Sequence, residues 1–332
     1  MNVLMLVLKL VVSFGFMFWL VSTGKLDIGA LLIYYERPYL AILLLIYWFV
    51  SCVYLCGLRW HFLMQGLNLK GEKVYTFMVN AIGLFFTAIA PGMIGGDVIK
   101  GYYIQRLQSK GHAMTVILSL IMDRIVGVYI LFFAAVALMA VNYQSILGLQ
   151  SIWVIASSVI LVFLGLTFIL ILAMSPRSVQ NHKASRVKWI LGYVAQIKFM
   201  ERIFEALSVL KTRPDLLFKS IAVGSLHQIF TIILFYQVTV AMETQSVDLG
   251  LLGMILPVGM VLVALPISPG GLGVGHLAFE QLYRMIGLEN GANIFHVVFM
   301  GQLALNMIGM IPYLCLKYDK RKNNQFTEPH LI

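Results

Sequence analysis

Thr87-Ala-Ile-Ala-Pro-Gly-Met-Ile-Gly-Gly-Asp97 interrupts an apolar run, and Leu265-Pro-Ile-Ser-Pro-Gly-Gly-Leu-Gly-Val-Gly-His276 does so again much later. Aligning Pro91 with Pro269 matches Pro-Gly-x-(Ile/Leu)-Gly in both stretches. Proline and glycine break a helix, and the backbone groups left unpaired are costly in hydrocarbon unless protein or a polar cavity surrounds them. Two such breaks in corresponding halves of a membrane chain point to a transporter substrate site.

The composition indicates an integral membrane protein. Of 332 residues, 60% are hydrophobic and only 11% are charged, whereas a soluble domain has about 25% charged residues. The net charge of +10 is expected to reflect basic cytoplasmic loops. No basic run is interleaved with aromatic residues, so nucleic acid is not an expected partner. The three cysteines have no metal-site spacing and are expected to be small core residues, so no cofactor or metal is predicted.

Six apolar runs have the length of about 20 residues that a spanning helix needs. The sequence therefore predicts an all-α polytopic membrane protein, with the first run retained as a span and not cleaved as a signal. The predicted spans are Val3–Val21, Tyr39–Leu58, Ala113–Val141, Ile152–Met174, Leu216–Met242 and Ala292–Leu316.

The cations predict the orientation. Residues 175–215 form a basic connector and residues 317–332 a basic tail, and both belong in the cytoplasm by the positive-inside rule. Together they divide the chain into a first membrane half, 1–174, and a second, 216–316. Links without cations at Asn142–Ser151 and Glu243–Asp248 then lie outside, and Arg59-Trp60-His61 is expected to be an interfacial cluster.

The same orientation requires both broken stretches to leave and return on one side of the membrane. The first, near 87–100, would enter from the cytoplasm, and the second, near 265–286, from outside. The sequence thus predicts two oppositely oriented re-entrant helical hairpins in inverted-repeat halves. Both termini are expected in the cytoplasm.

Asp123 and Arg124 are the sharpest signal for a site, because a charge inside a span is retained near partners or water. Adjacent helical residues point in different directions, so each needs its own partner. The expected partners are Asp97, Lys100, Glu280 and Arg284. Two interpretations stay open: an ion-pair network that locks helices together, or an Arg124 whose planar guanidinium binds an anionic headgroup.

The residues after each break are further candidates. Gly95 and Gly96 would let the backbone approach a ligand, and a helix N-terminus there attracts phosphate. Asp97 could instead cap the helix, and Lys100 could be an ordinary interfacial cation. The full set of predicted substrate-binding residues is Pro91, Gly92, Gly95, Gly96, Asp97, Lys100, Asp123, Arg124, Pro269, Gly270, Gly271, Gly273, His276, Glu280 and Arg284.

His276, Glu280 and Arg284 recur every fourth residue and share one helical stripe. Glu280 and Arg284 have the spacing of an intrahelical ion pair. His276 is either a proton-linked switch or a plain polar contact.

These motifs together resemble the lysylphosphatidylglycerol synthase transmembrane region, also called the flippase-like family. The resemblance rests on Pro91–Asp97 with Lys100, on Asp123-Arg124, and on Pro266–Val274, and it covers roughly residues 5–315. It implies the lipid-translocating half of bifunctional bacterial proteins that make and flip aminoacylated phosphatidylglycerol. Where many members have Glu two residues after Gly-Leu-Gly-Val, this chain has His276.

No catalytic signature is found, and no aminoacyl-transferase domain is recognised in residues 1–332, so synthase activity is not expected. The expected function is movement of an anionic phospholipid or lipid-linked saccharide between leaflets of a bacterial-type cytoplasmic membrane. The alternative is a membrane subunit or enzyme of lipid modification that works with a partner transferase. A scaffold without cargo is a third reading, and the oligomeric state is not indicated.

Overall fold

The computed structural model describes residues 22, 27–89, 94–108, 111–144, 152–174, 212–264 and 273–316. All regular elements within these ranges are helical, which confirms the all-α class. The predicted span Val3–Val21, most of the basic connector, the tail, and the Pro-Gly stretches at 90–93 and 265–272 lie outside the described residues.

Numbered in chain order, the main helices fall into two groups. Five are long and apolar enough to cross a membrane, so the protein is a multi-pass membrane protein, and five of the six predicted spans are confirmed. These are α1 (Pro38–Gly66), α4 (Ala113–Val141), α5 (Trp153–Met174), α6 (Pro214–Met242) and α9 (Gly291–Leu316). The shorter ones are α2 (Lys73–Ile89), α3 (Ile94–Gln105), α7 (Leu249–Ala264) and α8 (Val274–Met285).

The shorter helices form two antiparallel pairs, α2 with α3 and α7 with α8. In the first pair, hairpin 1, Gly83 packs against Lys100, and Gly96 lies against Thr87. In the second, hairpin 2, Gly259 packs against Phe279. α3 and α8 have 12 residues each and are therefore about 18 Å long, well short of a hydrocarbon layer of about 30 Å.

Each hairpin has an open end, where its two arms join the flanking chain. The open ends of the two hairpins lie at opposite ends of α4. At the start of α4, the flanks of hairpin 1 are joined, because the Gln108 side chain donates to the Lys70 carbonyl oxygen at 2.7 Å. At its other end, Asn142 lies against Gly250, the second residue of hairpin 2. α4 has 29 residues, which makes it about 43 Å long and separates the two openings by that distance.

α1 is longer than the sequence predicted. The expected span ended at Leu58, but the helix continues to Gly66 and buries Arg59, Trp60 and His61, which are 9%, 0% and 2% exposed. The predicted interfacial cluster is therefore wrong. The positive charge does not end the span, because a carboxylate on α4 neutralises it inside the protein.

The middle of α1, Tyr47–Leu55, is π-helical. The Asn80 amide of hairpin 1 donates to two carbonyl oxygens of this segment, Cys52 O at 2.9 Å and Val53 O at 3.2 Å. On another face of α1, the Trp48 indole donates to Asn306 Oδ1 of α9 at 2.8 Å. Polar side chains thus bond neighbouring helices, as is usual where both are surrounded by lipid.

Candidate functional site

Five charged side chains from three helices gather beside the start of hairpin 1's second arm. We call them the charge cluster: Arg59 of α1, Asp97 and Lys100 of α3, and Asp123 and Arg124 of α4. Their three cations and two carboxylates leave one excess positive charge among the described residues.

Asp123 is held by Arg59. The carboxylate accepts from Arg59 Nε at 2.7 Å and from Nη2 at 3.1 Å, and the two side chains are only 11% and 10% exposed. This is the planar, two-bond geometry that makes arginine the usual partner of a buried carboxylate. Asp123 therefore ties α4 to α1.

Arg59 fits between α4 and α6 because both helices have a glycine beside it. A methyl group on Gly127 would lie 3.1 Å from Arg59 Nη1, and one on Gly224 would lie 3.0 Å from Arg59 Cδ. Ser220 of α6 adds a long contact of 3.4 Å from its hydroxyl to the Arg59 carbonyl oxygen. The small residues thus let three helices close around one charged side chain.

Arg124 points to hairpin 1. Its Nε donates to Asp97 Oδ2 at 2.6 Å, and the two side chains are 47% and 23% exposed, so this ion pair is far more open than the one beneath it. Lys100 Nζ lies 3.9 Å from the other Asp97 oxygen. Since α3 begins at Ile94, three residues before Asp97, the alternative that Asp97 caps this helix is wrong.

Lys100 is buried at 8% exposure, so the alternative of an interfacial cation is also wrong. Its ammonium group lies over the Trp60 ring, 4.4 Å from the centroid, which is a favourable cation–π position. Its methylene groups pack on Gly83, and the Trp60 indole donates to Ser119 Oγ at 3.3 Å. The helix α3 continues past Lys100 to Gln105, because the protein accommodates this charge.

The second group of polar residues lies at the start of α8. His276 Nε2 and His296 Nδ1 of α9 are 3.1 Å apart, and the two residues are 0% and 2% exposed. The Gly273 backbone N–H donates to His276 Nδ1 at a longer distance, 3.4 Å. We call His276 and His296 the histidine pair.

Glu280 lies one turn further along α8 and is 1% exposed. It accepts from Arg284 Nε at 3.0 Å, which confirms the predicted intrahelical pair. Its other oxygen accepts from the Ala292 backbone N–H at 3.3 Å, so it also holds the first turn of α9.

The family match adds to this geometry. Residues 6–312 match the family model described as the lysylphosphatidylglycerol synthase TM region. The chain belongs to this family. No curated protein and no solved structure matches the chain.

For this member of the lysylphosphatidylglycerol synthase TM family, the structure brings some of the predicted residues together. Four of them are neighbours: Asp97, Lys100, Asp123 and Arg124. Asp97 is the partner of Arg124, which was one of the expected pairings. The described contacts of Glu280 and Arg284 are with each other and with α9, so neither serves as the expected partner of Asp123 or Arg124. Gly96 packs against α2. Pro91, Gly92, Pro269, Gly270 and Gly271 lie outside the described residues, and whether any of the set binds substrate stays a prediction.

Two residues central to these contacts were missed from the sequence. A buried Asp123 requires a counter-ion, and Arg59 is a cation that could supply it. Because Arg59 directly follows the apolar run Tyr39–Leu58, however, the sequence predicts that it faces the membrane surface. His296 lies within the predicted span Ala292–Leu316, and an ionisable residue inside a span is by default a functional candidate. That signal was present in the sequence and was not used.

Proposed function

We propose that this protein moves an anionic phospholipid or lipid-linked saccharide between the leaflets of a cytoplasmic membrane. The family's description names a synthase of an aminoacylated phospholipid, which supports a lipid as the substrate class.

The observation that carries the proposal is the half-open Arg124–Asp97 pair at the start of a hairpin arm, set above a buried Arg59–Asp123 pair. An exposed guanidinium with one excess positive charge nearby suits a phosphate oxygen, which makes paired hydrogen bonds with arginine. An arriving phosphate would compete with the Asp97 carboxylate for Arg124. Because the buried pair is already satisfied, that exchange need not disturb the contact between α1 and α4.

The hairpins support a transport mechanism. Their arms are too short to cross hydrocarbon, their sizes are similar (17 and 12 residues against 16 and 12), and they open toward opposite ends of α4. We propose that both are re-entrant and that the halves form an inverted repeat, the architecture in which transporters bind substrate near mid-membrane. Hairpin 1 would then receive the headgroup from the cytoplasmic side and hairpin 2 from the outer side.

The test is a reconstituted-vesicle assay. Purified protein is incorporated into vesicles with a trace of fluorescent phosphatidylglycerol, and the fraction of probe reached by an added quencher is followed over time. We expect protein-dependent exchange that falls at least tenfold in Arg124→Gln, because the headgroup loses its guanidinium partner. A probe with a zwitterionic choline headgroup should move more slowly than the anionic one.

The matched control is Lys219→Gln. Lys219 pairs with Asp215 on α6, and both side chains are more than half exposed, so the variant removes one cation of a solvent-facing pair. It should exchange lipid at the wild-type rate. Equal rates for Arg124→Gln and wild type would remove Arg124 from the mechanism, and an absence of protein-dependent exchange for every anionic probe would remove the function.

The second candidate is a membrane subunit of a lipid-modifying enzyme, because the family's description is that of a synthase region. Here the charge cluster would hold an acceptor lipid for a partner transferase. Deleting the gene and analysing membrane lipids separates the two: a lipid class that disappears favours modification, while unchanged composition with altered leaflet distribution favours transport.

A further inference from the structure

We infer that the histidine pair is a proton-binding site, and that a proton bound there loosens the first turn of α8, where that helix meets α9. The inference deepens the proposed transport function, since it supplies a coupling ion for hairpin 2. The proton site itself is argued from contacts that involve no lipid.

The hydrogen bonds around the pair determine where its protons lie. His276 Nδ1 accepts from the Gly273 N–H, so it has no proton, and the neutral ring must have its proton on Nε2. Nε2 therefore donates to His296 Nδ1, and the neutral His296 ring has its proton on its own Nε2. That atom is buried and has no hydrogen-bond partner among the described residues, which is an unusual cost for a buried polar group.

An added proton cannot enter this chain without breaking a bond. The contact between His276 Nε2 and His296 Nδ1 uses a single proton, and His296 Nε2 already has one. The only nitrogen left is His276 Nδ1, and a proton there would face the Gly273 N–H. One bound proton therefore costs the bond between His276 and Gly273, and a second would place two donors against each other across the 3.1 Å contact.

The bond that would break lies at the hairpin turn. Gly273 has a φ of 79°, a left-handed conformation that glycine adopts without strain, and it immediately precedes α8. Gly275, two residues on, packs tightly against Phe295 and Val263. Loss of the Gly273 bond therefore acts where hairpin 2 turns and where its second arm meets α9.

The surroundings provide little compensation for the added charge. The His276 ring meets the edge or face of Phe295 at 4.9 Å between centroids, and α7, along the other side of α8, has no titratable side chain in its sequence. Glu280 is already bonded to Arg284 and to the Ala292 amide. Among the described residues, Asp27 before α1 interacts with His296, and Glu243 and Glu289 lie in the loops at that end of the bundle, where they contact each other.

Proton linkage gives the size of the effect. A histidine released to water has a pKa of about 6.5, whereas the closed pair resists the proton. For one histidine, the ratio of open to closed hairpin then increases about tenfold between pH 7.5 and pH 5.5. The contact is stable at the higher pH and is weakened as the pH falls.

Hydrogen exchange measured by mass spectrometry tests this in lipid nanodiscs without any transport. The exchange rate of the amides of 274–285 is measured at pH 7.5 and 5.5, with times scaled for the chemical exchange rate. At each pH it is divided by the exchange rate of the amides of 94–105 in hairpin 1. We expect the ratio to rise about tenfold in the wild type. His276→Gln, which removes the ring that takes the proton, should abolish the rise. His296→Asn, which keeps an acceptor near the Nδ1 position for His276 Nε2, should retain it.

Two acid variants separate the histidines from their neighbours. Glu243→Gln should keep the full rise, and so should Glu280→Gln. A wild-type rise below threefold overturns the inference whether or not a variant folds. So does a rise that survives in His276→Gln, or one that His296→Asn or Glu280→Gln abolishes. Because no lipid movement is measured, loss of the transport function would leave this result standing, and the converse also holds.

Discussion

Removing Arg59 while keeping Asp123 should be one of the most destabilising single changes in the described part of the chain. At about 4 Å between charges and an effective dielectric constant of about 20, the attraction is about 4 kcal/mol. Arg59→Met would leave a carboxylate that is 10% exposed without its partner, and breaking a buried ion pair in this way costs about 3–5 kcal/mol. Interhelical hydrogen bonds between neutral groups in membranes average only about 0.6 kcal/mol. Loss of a buried charge partner and loss of a neutral hydrogen bond therefore predict clearly different changes in the free energy of unfolding.

The double variant Arg59→Met with Asp123→Leu should recover most of that loss. Both charges are then absent, and similar replacements of buried pairs by apolar residues are often neutral. The assay is a double-mutant cycle of unfolding free energies, from titration of mixed micelles with sodium dodecyl sulphate followed by circular dichroism. We expect a coupling energy of about 3 kcal/mol or more.

The control cycle uses Lys219→Met and Asp215→Leu on α6. Their ion pair is 3.6 Å long and its side chains are 58% and 57% exposed, so its coupling should be below about 1 kcal/mol. A coupling energy between Arg59 and Asp123 as small as that of the control would refute the argument. It would mean that water or lipid headgroups reach the pair and that burial does not determine its strength.

Two other substitutions test the packing of hairpin 1, a third tests an open position on α5, and all three should be measured in the same unfolding assay. Gly96→Ala places a methyl group against the Thr87 hydroxyl and a backbone carbonyl of α2, and we expect a loss of about 1–3 kcal/mol. Gly165→Ala, in an open position on α5 with no atom within 4 Å, should instead be neutral or stabilise by up to about 1 kcal/mol. Asn80→Leu removes the amide that donates to Cys52 O and Val53 O of the π-helical segment and should cost about 1–3 kcal/mol, with faster amide exchange confined to residues 47–55.

The spans could be predicted because hydrocarbon imposes one rule on all of them: about 20 apolar residues, with cations at the cytoplasmic ends. The same rule failed at α1. Arg59 ends the apolar run in the sequence, but in the fold its charge is neutralised by a residue 64 positions away. Hydropathy scores each residue against lipid, whereas Arg59 is surrounded by α4 and α6, and only tertiary contacts reveal that.

The sequence predicted which charged residues belong to the candidate site, but it did not predict which of them pair with each other. The adjacent charges Asp123 and Arg124 had to face different partners, and they do, because neighbouring positions on a helix diverge by about 100°. Which partner each takes depends on how α1, α3 and α4 cross, and that is determined by small residues such as Gly127 and Gly83. Spacing along one helix contains no information about those crossings.

The two hairpins have similar lengths but different chemistry at corresponding points. This difference favours a mechanism in which one hairpin opens at a time over one in which both open together. Near the start of its second arm, hairpin 1 meets the next span through an ion pair, Asp97 with Arg124, while hairpin 2 meets it through the histidine pair. In the proposed mechanism, an anion would weaken the first contact by competing for Arg124. A proton would loosen the helix turn that carries the second contact, by occupying the acceptor nitrogen of His276. Since the hairpins open toward opposite ends of α4, two different ligands could release them at different times. Identical contacts would respond to the same ligand together, and a carrier that opened at both ends at once would leak.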